Sequence, residues 1–274
     1  MKIFITGSTG FIGLNLIRFY NTTNTIIEYK RGECISTALN NCCPDLIFHC
    51  AGEIYKDDLM ISTNVLMTKD ILEYVKLNPK TKLIYTGSSS EYGKVPRASA
   101  ETDRINPVDM YQATKGAATL LCQGYARHYD LDIKIARPYS VYGRFERSHR
   151  LFPTMWRSFF KDQEMTLWQG YHDFIYIDDF IRGLDIIANS EKNPGDIINL
   201  GSGIQSPNFG KNGVYDIFKE LTNRKGNVNI MHTLSKNFES EVWKCDTEYA
   251  KSAYAFEAKY TLRDGIKEFL EYTN

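Results

Sequence analysis

The sequence predicts an α/β fold, a doubly wound parallel sheet followed by a smaller C-terminal lobe, and three observations carry that prediction. Short β-rich apolar runs alternate with longer segments of helical period up to about residue 140. A glycine turn, Gly7-Ser8-Thr9-Gly10-Phe11-Ile12-Gly13, joins the first apolar run to the first helical segment. Beyond Gly143 the alternation loosens, which sets the remainder apart as the lobe.

Lys2–Thr6 is the first strand, and Phe11–Tyr20 a helix with Ile12, Leu16, Ile17 and Tyr20 on one stripe. Thr25–Tyr29 and Asp45–Cys50 are the second and third strands. Leu59–Leu77 reads as one long helix stopped by Pro79. Lys82–Thr86 is a fourth strand entering the cluster Ser88-Ser89-Ser90, Met110–Tyr129 a second long helix, and Asp132–Ala136 a fifth strand broken by Pro138. Such alternation implies a parallel sheet covered on both faces, with ligands at the carboxyl ends of its strands. Arg144–Arg150 is charged and loop-like. A helix over Phe152–Lys161, a strand over Phe174–Ile177, a helix over Asp178–Asn189 and a strand over Ile197–Leu200 come next. Pro207 and Gly210 mark a loop, and Gly213–Thr222 and Leu262–Tyr272 are amphipathic helices.

Composition narrows the function. With 43% hydrophobic residues in 274, the chain can bury a large core. The 33 basic and 33 acidic residues cancel, and no basic tract stands out, so no nucleic-acid partner is expected. No apolar run approaches the roughly 20 residues that span a bilayer, so no membrane partner is expected. The apolar start at Met1 runs straight into the glycine turn and reads as a strand rather than a leader, and a cytoplasmic location is expected. The six cysteines contain no C-x-x-C pair and read as reduced thiols. The five histidines are scattered, and no metal site is expected.

A glycine triplet after a strand and before a helix is the dinucleotide-binding pattern of a Rossmann-type domain. Gly7 allows the tight turn, Gly10 lets amides approach a pyrophosphate, and Gly13 lets helix and strand pack closely. The end of the second strand should meet the adenosine ribose, where an acid binds a 2′-hydroxyl and a base a 2′-phosphate. Glu28, Lys30 and Arg31 are available there. Counting from Ile26-Ile27, Lys30 falls at the ribose position with Arg31 beside it, which favours NADP, with NAD the alternative.

Tyr111 and Lys115 lie one helical turn apart. A tyrosine ionises near pH 10, too high for neutral acid–base work, and a neighbouring ammonium favours the phenolate. Ser88, after the fourth strand, is placed to hold a substrate oxygen. Together these groups suit moving a proton and a hydride at a carbinol carbon.

With the glycine turn and the Tyr/Lys pair, the stretches Ile47–Gly52, Asn64, Ser88–Gly93, Arg137–Gly143, Asp173–Asp179 and Asn199–Gly203 give the chain a resemblance. It resembles an extended short-chain dehydrogenase/reductase, of the NAD-dependent epimerase/dehydratase family acting on nucleotide sugars, over nearly its whole length. That resemblance implies Tyr111 as general acid/base, Lys115 as its electrostatic partner and Ser88 as the polarising hydroxyl; a one-residue gap before Tyr92-Gly93 would pass that last role to Ser89. It implies cofactor contacts from Gly7, Thr9, Gly10, Phe11, Ile12, Gly13, Lys30, Arg31, Cys50, Ala51, Gly52, Thr86 and Pro138, besides Tyr111 and Lys115. Substrate contacts are expected from Ser89, Glu91, Tyr92, Ser140, Arg144 and Arg150. Ser140 and Arg144 depart from the family, where asparagine and proline are frequent. The implied domains are 1–144 with 173–202 for the dinucleotide, and 145–172 with 203–274 as the substrate-binding lobe. The reaction implied first is NADP(H)-dependent reduction of a 4-keto-sugar nucleotide. The alternatives are a 4-epimerase with tightly bound NAD, a 4,6-dehydratase, for which the acid Glu91 comes one place late, and a non-catalytic dinucleotide-binding protein. A homodimer through the two long helices is expected.

Overall fold

We describe a computed structural model of the chain, covering residues 1–234 and 242–273. Six parallel strands form the central sheet: β1 (Lys2–Thr6), β2 (Thr25–Glu28), β3 (Leu46–His49), β4 (Lys82–Thr86), β5 (Ile133–Pro138) and β9 (Asp196–Leu200). Their order is β2-β1-β3-β4-β5-β9. The chain leaves β1 to one side for β2 and returns on the other side for β3, so the order reverses at β1/β3. In doubly wound sheets that switch point opens the crevice where ligands bind. The expected Rossmann-type sheet is therefore present.

Alternation along the strands explains why both faces are covered. Ile3, Ile5, Phe48 and Ile84 point into one buried cluster, while Phe4, Ile47, Leu83 and Tyr85 point into another. Helices α1 (Phe11–Tyr20) and α7 (Ile177–Asn189) pack on the first face. Helices α2 (Ile35–Cys42), α4 (Met67–Leu77) and α5 (Met110–Tyr129) pack on the second. The glycine turn fits tightly against the end of β3. A Cβ on Gly7 (φ +69°) would lie 2.9 Å from the Ala51 nitrogen, and one on Gly13 2.2 Å from the Gly7 oxygen.

Smaller sheets build the rest. β6 (Ser140–Tyr142), β8 (Tyr171–Tyr176) and β10 (Gln205–Pro207) form one in the order β10-β8-β6, and β7 (Met165–Gln169) pairs with β11 (Val228–Leu234). Helices α6 (Leu151–Phe160), α8 (Val214–Thr222), α9 (Glu248–Tyr254) and α10 (Leu262–Thr273) complete the described residues.

The structure corrects the sequence reading at several points. The second and third strands are shorter than expected, Pro207 lies in a strand rather than a loop, and β5 runs through Pro138 at its end. The long helix expected over Leu59–Leu77 is three pieces: α3 (Asp57–Met60), a π-helical turn (Ile61–Leu66) and α4. The alternating β-branched residues Ile61, Thr63 and Val65 weaken regular α-helix there. The wider turn also brings Asn64 inward, where its Oδ1 accepts the Glu53 amide at 2.8 Å and its Nδ2 donates to Thr114 Oγ1 at 3.0 Å.

Candidate active site

A cleft of about 550 Å³ opens along the carboxyl ends of the strands. Gly7, Gly10, Phe11, Ile12 and Gly13 form one wall, continued by Cys50 and Gly52. Helix α1 begins at this wall with no side chain capping its first turn. Its leading amides are thus free for an anion, which fits a dinucleotide pyrophosphate. Opposite stand Ser88, Ser89, Tyr111, Pro138 and Ser140, with Arg147 and Arg150 at the rim.

Tyr111 enters from the first turn of α5, whose N-cap Asp109 accepts the Gln112 amide at 2.8 Å. Burial raises the Tyr111 phenol, and the Ser88 hydroxyl opposes that rise. Lys115, one turn along, does not point at the phenol as expected. Its Nζ donates to the Thr86 carbonyl at 2.5 Å and lies 4.4 Å from the centre of the Tyr85 ring. Burial pulls Lys115 down to about 8, with Glu91 the first of the groups opposing the shift. The structure therefore corrects the simple picture of an ammonium lowering the phenol; in the described arrangement the buried cation serves the strand end below it.

The turn after β3 is held by a hydrogen-bonded relay. The Ala51 amide donates to Thr6 Oγ1 at 3.1 Å, which meets His49 Nδ1 at 2.7 Å. His49 Nε2 meets Thr68 Oγ1 at 2.9 Å, and Thr68 donates to the Asn64 carbonyl at 2.8 Å. Because Thr68 spends its proton on Asn64, it accepts from Nε2–H, and Nδ1 accepts from Thr6; the network assigns the tautomer. Burial first, and Lys115 second, hold His49 down to about 3. A histidine that stays neutral only when folded contributes stability that is present above its unfolded value near 6.5 and lost as pH falls toward 3. Thermal melts between pH 7 and pH 4 should show falling stability, with a shallower slope for His49→Gln. An equal slope in the variant would remove His49 from the account.

Several expected site residues lie elsewhere. Glu91 is fully buried beneath the cleft and ion-paired with Arg137 at 2.8 Å, not facing a substrate. Tyr92 is buried too, donating to Asn199 Oδ1 at 2.8 Å. Arg144 packs 5.3 Å from the centre of the Tyr272 ring, and its carbonyl accepts from Asn15. Thr86 lies under the floor, where its Oγ1 sits 3.4 Å from Cys50 Sγ. Thr9, Lys30 and Arg31 are exposed, and Ala51 is pinned to Thr6.

The cleft also takes in residues the sequence did not single out. Tyr55 Oη meets His149 Nε2 at 2.7 Å, joining the turn after β3 to the 143–150 loop. Both Tyr55 and Glu146 line the cleft, and burial pushes the Glu146 carboxyl up to about 8 against the pull of Arg150. Tyr171, His172 and Trp243 line it as well, and none of the three carries a spacing signal. Among the described residues, no group of side chains could hold a metal ion, and no helix is long and apolar enough to cross a membrane.

Comparison with known proteins agrees with this geometry. The NAD dependent epimerase/dehydratase family profile matches residues 3–201. The "Uncharacterized UDP-glucose epimerase YtcB" of Bacillus subtilis (strain 168) is 23% identical over 212 residues, 76% of this chain and 66% of that protein. The dTDP-D-glucose 4,6-dehydratase of Dictyostelium discoideum is 24% identical over 274 residues, 81% of this chain and 62% of its own length. The chain thus spans somewhat under two thirds of these curated relatives. The solved structure of MoeE5 in complex with UDP-glucuronic acid and NAD is alike in fold, with a TM-score of 0.88 at 22% identity, covering 100% of this chain and 99% of that one. With most of its length matched by the family profile and the fold in agreement, the chain belongs to the NAD-dependent epimerase/dehydratase family.

Proposed function

We propose that the protein is a nucleotide-sugar 4-epimerase working with NAD. The observation that carries the reading is that Tyr111 and Ser88 line one wall of a cleft whose other wall is the glycine turn. Bound NAD supplies a hydride acceptor and donor. Ser88 holds the oxygen on the sugar's C4, and the phenolate form of Tyr111 takes that oxygen's proton and later returns it. Lys115 is held at the Thr86 carbonyl, on the strand end beneath the cleft. Relatives named as epimerases, and a structural neighbour solved with NAD, support this choice over reduction. The end of β2 supports it as well. The strand stops at Glu28, an exposed acid at its carboxyl end, suited to accept from a ribose 2′-hydroxyl.

Reduction of a 4-keto sugar with NADPH is the second reading, supported by the exposed Lys30 and Arg31 just beyond Glu28. Dehydration is disfavoured because Glu91, the nearest acid after Ser88, is committed to Arg137. We further propose that residues 1–144 and 173–202 hold the dinucleotide, that the rest forms the substrate lobe, and that two copies pair through the π-helical turn with α4, and through α5. The exposed Ile61, Leu66 and Leu120 support such pairing.

Mass spectrometry of nucleotide released from the purified protein, combined with NMR of nucleoside-diphosphate hexoses incubated with it, tests the choice. Retained NAD and a C4 epimer formed without net oxidation are expected. An empty site, with NADPH consumed by a 4-keto sugar, would replace epimerisation with reduction.

A further inference from the structure

Directly beneath Ser88 lies a buried ion pair that the proposed chemistry does not yet use. The Glu91 side chain is 0% exposed and the Arg137 side chain 1%. Arg137 donates to Glu91 Oε2 from Nε at 2.9 Å and from Nη2 at 2.8 Å. The Tyr92 ring covers the guanidinium at 4.5 Å, and Tyr92 is itself tied to Asn199. Glu91 Oε1 turns the other way and accepts the Ser88 amide at 2.8 Å. Ser88 completes a capping box on the short 3₁₀ turn Ser89–Tyr92, its Oγ accepting the Ser90 amide at 3.2 Å. Gly87 is needed for this packing, since a Cβ there would lie 2.8 Å from Glu91 Oε1.

Burying two charges costs several kcal/mol, and an apolar pair of similar volume is often as stable or more so. Packing alone therefore does not account for the pair. Two properties are specific to the ions. The carboxylate fixes the backbone of Ser88 in one direction, and its negative charge lies among the groups that act on Lys115 and Tyr111.

We infer that the Glu91–Arg137 pair is a positioning device, which fixes Ser88 on the cleft wall it shares with Tyr111 and places its buried carboxylate to act on Lys115. The inference rests on the proposed function for what Ser88 and Tyr111 do, but not for the charge of Lys115. Arg137 anchors the carboxylate, and the carboxylate acts through its neighbours without touching substrate. Cys50, Cys122, His49 and Tyr85 also face Lys115, and the substitutions that test the pair leave them in place.

The test compares Glu91→Gln, Arg137→Lys and the double variant Glu91→Gln/Arg137→Leu. Glu91→Gln alone leaves a buried guanidinium unpaired and is expected to lose stability; the double variant removes both charges and regains it. In the folded double variant, kcat should stay about tenfold or more below the parent with KM within about threefold. NMR of lysine labelled at Cε, with the resonance assigned by its loss in Lys115→Met, should show the Lys115 midpoint falling by about one unit, because its opposing anion is gone. Arg137→Lys keeps the charge and should keep that midpoint while lowering kcat. An unmoved Lys115 midpoint or a parental kcat in the folded double variant overturns the inference. Should the parent act on no nucleotide sugar, the functional reading fails, and the lysine midpoint still decides whether the pair holds the charge.

Discussion

Tyr111→Phe is expected to lower kcat by about 10²–10⁴-fold, the usual contribution of a positioned acid/base. Cofactor retention should be unchanged, because the substitution removes one oxygen and leaves the glycine turn and the amides of α1 intact. The size of the effect derives from where the hydroxyl sits. Burial makes the phenolate unfavourable, and the Ser88 hydroxyl first, then Arg150, oppose that trend. Ser88→Ala should then reproduce part of the loss. Single-turnover measurement of the enzyme-bound dinucleotide's absorbance near the nicotinamide band separates this from a binding defect. A Tyr111→Phe enzyme turning over at the parental rate would remove Tyr111 from the chemistry.

Lys115→Met should separate stability from activity. The lysine's midpoint falls from 10.5 unfolded to about 8 folded, so between those values the unfolded chain binds more protons. Linkage gives the sign: stability from this group is present above pH 10.5 and lost as pH falls through 8, which leaves the charged side chain a burden at neutral pH. The burden is about 3 kcal/mol by the pK difference, reduced by whatever the orphaned Thr86 carbonyl costs in the variant. Lys115→Met should therefore melt at or above the parental temperature at pH 7, and lose that advantage by pH 10. Its kcat should fall by at least about 10²-fold, since the cation that fixes the strand end beside Ser88 and Tyr111 is gone. A variant markedly less stable at pH 7 would show that the Thr86 contact outweighs the burial of the charge. The combination of gained stability and lost activity is the usual mark of a group retained for function.

The central sheet was legible because each strand is both apolar and bounded by turn residues, and because Gly7, Gly10 and Gly13 leave little choice for the turn and helix after β1. The elements that escaped are short or lack a clean period. Helix α2 buries only Ile35 and Leu39, too few to mark a stripe, and β7 and β11 are joined by pairing between distant segments that no local pattern records. The site divides in the same way. Tyr111, Ser88 and the glycine turn stand out by spacing, and all line one cleft. Glu91 does not reach it, because the capping box turns its carboxyl inward toward Arg137, a partner 46 residues away. Spacing places a residue on an element; which way the side chain faces depends on contacts between elements. Lys115 shows this most clearly, since one turn of helix puts it near Tyr111 but the carbonyl of Thr86 decides where its nitrogen goes.

The π-helical turn at Ile61–Leu66 behaves as a one-residue spacer, since the Met67 amide reaches back five positions to Ser62. Removing a single residue ahead of Asn64 would let the segment relax into ordinary α-helix while α3 and α4 keep about their present phase. Asn64 would lose the wide turn that presents it to the Glu53 amide and to Thr114, while Thr68, one ordinary turn along, would still reach the Asn64 carbonyl. A deletion far from the catalytic groups would thus act on the cofactor wall as a slipped gear acts on a clock hand, without touching one residue that lines it.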